Sequence, residues 1–227
     1  MNTPPLDRHF VLRKIHSLLG IVPIGFFLCF HLFENSLSVK GETYFTEHII
    51  HKIGDMPYVE LMEIFFIALP ILFHGIYGVI IWLQGKSNVT SYSYFRNWMY
   101  WVQRISGVIA FIFILTHVWG TRLEMLLDAE VTKDTLFEHL ALELDNPLLV
   151  VWYVIGILCA VVHLSNGIWL ALITWGFTIG PRSQKISSWV CVAIGLMLIV
   201  LSAQAMRGFL NPLEIAEVAA EAAESSH

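Results

Sequence analysis

An all-α integral membrane protein, folded as a bundle of five transmembrane helices, is the fold class this sequence predicts. Three observations predict it. Of the 227 residues, 56% are hydrophobic and only 14% are charged, against about 25% charged in soluble domains. The mean hydropathy is +0.67. The apolar residues also lie in long blocks, and five of these reach the about 20 residues that a bilayer-spanning helix needs.

The first span, at about 14–35, follows a basic start with no small-residue cleavage site, so it reads as an uncleaved beginning and not a signal peptide. The second, at about 58–84, opens just after Pro57, a position proline tolerates, and Pro70 inside it should kink the helix. The third covers about 97–123. The fourth, at about 148–178, opens after Pro147, and the fifth covers about 187–209. Polar stretches separate them, the longest being ENSLSVKGETYFTEHIIHKIGDMP and TRLEMLLDAEVTKDTLFEHLALELDNP. Residues 1–210 thus read as one transmembrane domain, and residues 211–227 as an acidic, alanine-rich tail.

Basic residues orient the bundle. Arg8, Arg13, Lys14, Lys86, Arg96, Arg104, Arg182 and Lys185 fall on one side; only Lys40, Lys52, Arg122, Lys133 and Arg207 fall on the other. The first side should be cytoplasmic, with the N-terminus inside the inner (cytoplasmic) membrane and the C-terminus outside.

Several chemistries are excluded. Cys29, Cys159 and Cys191 lie in apolar segments without a C-x-x-C cluster, so neither an iron–sulfur centre nor a structural zinc is built from thiolates. No disulfide framework is implied. There is no GxGxxG and no Walker loop, hence no flavin or nucleotide fingerprint. No nucleic-acid partner is expected. A catalytic head feeding electrons to this chain must be another polypeptide.

Of ten histidines, four stand inside spans, one in each of the first four: His31, His74, His117 and His163. A lone intramembrane histidine most often makes an interhelical hydrogen bond. Four in successive helices point instead to a shared role facing the bundle interior. Depth pairs them. His31 lies three residues before Glu34 and His117 five before Arg122, which puts both roughly 5–8 Å from the outer edge. His74 follows Pro57 by seventeen residues and His163 follows Asn146 by seventeen, so both lie roughly 25 Å from that edge. The expectation is two b-type haems stacked across the bilayer about 15 Å apart. His31 and His117 would ligate the outer iron, and His74 and His163 the inner one. Bis-histidine ligation leaves iron no open position, which suits electron transfer.

Small residues fit this reading, because flat porphyrins need gaps. Gly78 and Gly167 follow His74 and His163 by four residues, and Gly20, Ser106 and Ala110 share the faces of His31 and His117. Arg13, His16, Ser17 and Arg104 sit at the inner mouth as candidate propionate contacts. Glu60 and Glu63 stand at the outer start of the second span. Glu63 shares the face of His74, so a carboxylate there could exchange protons with a quinone.

The segments RKIHSLLG, FHLFEN, LFHGIYG, YSYFRNWMYWVQRISG, THVWGTR, VVHLSNGIW and TWGFTIGPRSQ closely resemble the di-haem cytochrome b subunit of succinate:menaquinone oxidoreductases and quinol:fumarate reductases. The resemblance runs from about residue 8 to 205. It implies a membrane anchor for a flavoprotein subunit and an iron–sulfur subunit on the cytoplasmic side. It implies that His74 and His163 hold the haem proximal to that head, and His31 and His117 the distal one. It also implies menaquinone as substrate at the outer end. The rival readings are a cytochrome b anchor of another quinone-linked dehydrogenase or hydrogenase, and a proton-coupled transporter. Neither accounts for these motifs.

Overall fold

The computed structural model describes residues 8–86 and 88–212; the acidic tail expected at 211–227 lies almost wholly outside them. Among the described residues, five helices are long and apolar enough to cross a membrane: Arg8–Lys40, Val59–Leu83, Phe95–Leu127, Pro147–Thr174 and Pro181–Leu210. They are called the first to fifth spans below. The end where the first span finishes is called outer, following the charge asymmetry.

Two prolines interrupt the helical ladder. The first span pauses at Val22 and resumes at Pro23, because proline offers no N–H to the preceding turn. In the second span the disturbance expected at Pro70 takes the form of a wide π turn over Glu63–Ala68, immediately before the proline. A wide turn of this kind re-spaces the carbonyls that proline leaves without a donor.

Several span ends differ from the sequence reading: the first span runs from Arg8 to Lys40, beyond the expected 14–35, and the third runs on to Leu127, beyond 123. The fourth span stops at Thr174 and not at 178, since Gly176 takes a left-handed conformation (φ 82°) that ends the helix. The fifth begins at Pro181, six residues earlier than expected. The polar TIGPRSQKISS stretch looked like a connector, yet its proline occupies the first helical turn, where the missing N–H costs nothing. At the fourth span the start is capped as well: the Asn146 side chain accepts from the Leu148 N–H at 3.0 Å.

The first four spans enclose the interior. The second packs on the inner half of the first and on the third, the third on the fourth, and the fifth lies against the fourth and the outer half of the first. The fifth span carries no histidine; it buttresses the ring through Leu198, which is fully buried against Leu32, Val161 and Leu164. Large apolar side chains such as Phe26, Phe65, Phe66 and Val200 point outward. That arrangement belongs to a chain whose solvent is lipid.

At the outer end the two long connections fold into a cap. The helix Leu136–Glu143 and residues 42–54 bury Phe137, Phe45 and Leu144 against Phe209 of the fifth span. Lys133 pairs with Asp55 at 2.7 Å and His51 with Asp134 at 2.7 Å across the same connections. Phe137 is 1% exposed, so Phe137→Ala should cost about 3–5 kcal/mol. Thermal denaturation in detergent would read this as a clear drop in Tm, with the cap becoming sensitive to protease. An unchanged Tm would mean that the cap contributes nothing to stability.

Candidate functional site

Each of the four intramembrane histidines projects into the interior of the four-span ring, and the structure brings together the pairs that depth counting assigned. At the inner level the His74 and His163 rings have centroids 5.9 Å apart. At the outer level His31 and His117 have centroids 5.8 Å apart. With metal–nitrogen bonds of about 2 Å, two imidazoles on opposite sides of one metal ion have centroids about 6 Å apart. All four rings are half-buried.

The hydrogen bonds around the rings fix which nitrogen is free. His74 Nδ1 donates to the His16 carbonyl oxygen at 2.8 Å. His163 Nδ1 donates to the Gln103 carbonyl at 2.9 Å. In both cases the proton sits on Nδ1 and Nε2 keeps its lone pair for a metal, the usual arrangement of a ligating histidine. His117 Nδ1 meets the Tyr153 hydroxyl at 3.2 Å. His31 is held from its own helix: Asn35, one turn on, donates its amide to the His31 carbonyl at 2.8 Å and touches the ring at 3.3 Å.

Glycines seat the inner rings. A Cβ on Gly20 would collide with His74 Cε1, and one on Gly107 would come within 2.6 Å of His163 Cε1. Gly20 therefore faces the inner ligand of a neighbouring span, consistent with its depth eleven residues below His31. Gly78 lies against His16 and Gly167 against the Gln103 amide, so these two support the partners of the ligands and not the ligands themselves. His16 stacks on His74 with centroids 3.9 Å apart, and its Nδ1 is buried without a partner. Two pairs of facing imidazoles, the inner pair with its Nδ1 protons set by carbonyls and its rings seated on glycine, and an orphaned ring nitrogen beside it fit a pair of bis-histidine haems.

The remaining predicted residues divide. Arg104 lies at the inner mouth, where it donates to the Ile81 carbonyl at 2.6 Å and stacks over Tyr100. Ser17 accepts from the Trp175 indole at 3.2 Å, and Arg13 is exposed. Glu63 is engaged by Arg122 at 2.8 Å, and Glu60 is exposed beside it at the outer end.

Sequence reasoning missed Gln103, Asn166, Gly107 and Tyr153. Asn166 donates to the Gln103 side-chain oxygen at 2.7 Å, and the Gln103 amide reaches the His163 carbonyl at 3.1 Å, so the inner ligand is held by a small polar network. A signal existed. Gln103 lies fourteen residues before His117, on nearly the same face but four turns deeper, at the level of His163. Tyr153 lies ten residues before His163, at the level of His117.

Residues 86–202 match the family described as succinate dehydrogenase/fumarate reductase transmembrane subunit. The chain is also similar to the succinate dehydrogenase cytochrome b558 subunit of Bacillus subtilis (strain 168), with 39% identity over 204 residues. The match covers 90% of this chain and 98% of that protein.

Proposed function

Because this chain belongs to the family of succinate dehydrogenase/fumarate reductase transmembrane subunits, we propose that it holds two b-type haems and passes electrons between a soluble succinate dehydrogenase/fumarate reductase head and menaquinone. The chain is a multi-pass membrane subunit of an oxidoreductase complex. The observation that carries the finer reading is the double histidine pairing, with ring centroids 5.9 and 5.8 Å apart at two depths of one bundle.

His74 and His163 would hold the inner haem, each through Nε2, and His31 and His117 the outer one. Haem in such a site supplies one-electron transfer and no ligand exchange. The chain's own part is to fix the imidazoles. The carbonyls of His16 and Gln103 hold the inner pair, and Tyr153 and Asn35 the outer pair. His16, Arg104, Ser17 and the nearby Arg13 form the polar inner mouth that would face haem propionates. A flavoprotein and an iron–sulfur subunit would dock on this basic, cytoplasmic side. Menaquinone would react at the outer end, where Glu63, set by Arg122, and Glu60 stand as acids able to exchange protons with it.

Haem content tests the reading. The purified chain should carry two b-type haems, read by pyridine haemochrome and a reduced-minus-oxidised spectrum. One haem would make one histidine pair structural. None, in cells well supplied with haem, would overturn the assignment.

A further inference from the structure

A cavity of about 320 Å³ opens at the outer end between the third and fourth spans and the cap helix Leu136–Glu143. Thr116, Trp119, Glu124, Glu143, Trp152 and Tyr153 line it. Its size falls at the lower end of small-molecule sites, about 300–1,000 Å³. One wall is fixed: the Trp152 indole donates to the Thr116 hydroxyl at 2.9 Å, and that hydroxyl donates to the Phe113 carbonyl at 2.9 Å.

The opposite wall leads to the outer histidine pair. If His117 ligates iron through Nε2, its Nδ1–H would donate to the Tyr153 hydroxyl 3.2 Å away and leave the hydroxyl proton to point elsewhere. The wall it belongs to is that of the cavity. At the mouth, His139 Nε2 meets the Glu124 carboxylate at 3.0 Å and lies 3.9 Å from that of Glu143. All three side chains are about one-third exposed or less. The Glu143 carboxylate lies beside Gly120 of the third span, 3.4 Å from where a Cβ there would sit, an ordinary packing distance. The wide turn Trp119–Leu123 immediately precedes Glu124.

We propose that Glu124, His139 and Glu143 form the proton port of the quinone reaction, serving a headgroup that docks in this cavity under a hydrogen bond from Tyr153. The inference rests on the quinone reading above but moves the proton source from Glu63 and Glu60, which do not line this cavity, to Glu143. Reduction of a quinone takes two electrons and two protons, turning both carbonyls into hydroxyls; oxidation of succinate in the head supplies the electrons. The protons come from the Glu143 carboxyl, which becomes a carboxylate and is recharged from outer water through His139. Glu124 stabilises the imidazolium that forms in passing. Tyr153 keeps its own proton and acts as a positioning residue.

The electrostatics agree. Burial pushes the Glu143 carboxyl above the ordinary carboxylate range, Glu124 pushes it the same way, and His139 opposes. The groups facing it are His139 on its own helix, Glu124 on the third span and Tyr153 on the fourth. A donor must be protonated, so the rate should fall as pH rises through this elevated value. The fall should come at higher pH than an ordinary glutamic acid would give.

The test uses the intact complex in detergent, with succinate as donor and a short-chain naphthoquinone as acceptor. Glu143→Gln should lower the rate at least tenfold and abolish the pH-dependent limb. Glu143→Asp should recover most of it. Both haem spectra, and succinate oxidation by an artificial acceptor at the head, should be unchanged. Calorimetry should show naphthoquinone binding weakened about tenfold by Tyr153→Phe, the size of one lost hydrogen bond. Full rate and a wild-type pH profile in both Glu143→Gln and His139→Gln would overturn the port. So would loss of that limb in Glu63→Gln alone. If the wild-type complex reduces no naphthoquinone with succinate, the quinone reading itself falls.

Discussion

Replacing His74 with alanine should give a complex that retains one b-type haem per chain and no longer reduces quinone with succinate. The variant removes one of two axial ligands at the inner level, where the rings of His74 and His163 are 5.9 Å apart. It also removes the partner of the His16 carbonyl and the ring that Gly20 seats. With the inner centre gone, electrons from the head would have to cross about 15 Å more of the span to reach the outer one. Succinate-driven reduction of the remaining haem should therefore fail, while dithionite still reduces it. The surviving outer spectrum and co-purification of the soluble subunits would show that the bundle has folded. Gly20→Val is the companion: it keeps the ligand but drives a side chain into it, and it should lose the same haem. Two haems in His74→Ala would remove His74 from the ligand set.

The second large effect separates the two levels. His31→Ala should lose the outer haem and leave the inner one reducible by succinate, with quinone reduction abolished. His31 and His117 stand 5.8 Å apart at the end carrying Tyr153 and the outer cavity, so this variant cuts the path after the inner centre. Stopped-flow spectra with succinate should show one reducible b-type haem and no turnover. Loss of the inner haem's signal in His31→Ala, or of the outer one's in His74→Ala, would mean that the pairing by depth is reversed.

Much of the site was legible in the sequence because a membrane helix is a ruler. At a fixed rise per residue, distance from the polar boundary assigns each histidine a depth, and of the three ways to pair four histidines only one matches depths. The residues that hold the ligands were less legible. His16 does so through its carbonyl, which any residue would offer at that position, so its side chain gave no warning. Gln103 and Tyr153 each sit on a different span from the histidine they touch, and their roles depend on how the spans rotate against each other. The start at Pro181 is masked by the polar composition around it, which resembles a loop, although proline at a first turn starts helices.

The sequence by itself determined the five spans, the two levels of histidine and the family, because burial in lipid constrains composition and length directly. Tertiary structure alone decided the tautomers of the inner ligands, the cap that buries Phe137, and the meeting of Glu124 with His139 and Glu143. Glu124 lies in the last turn of the third span, whereas His139 and Glu143 lie on a helix of the loop that follows it. Hydropathy carries no information about how that loop folds back, because the contacts that hold it join the cap to the fifth span, about seventy residues further along.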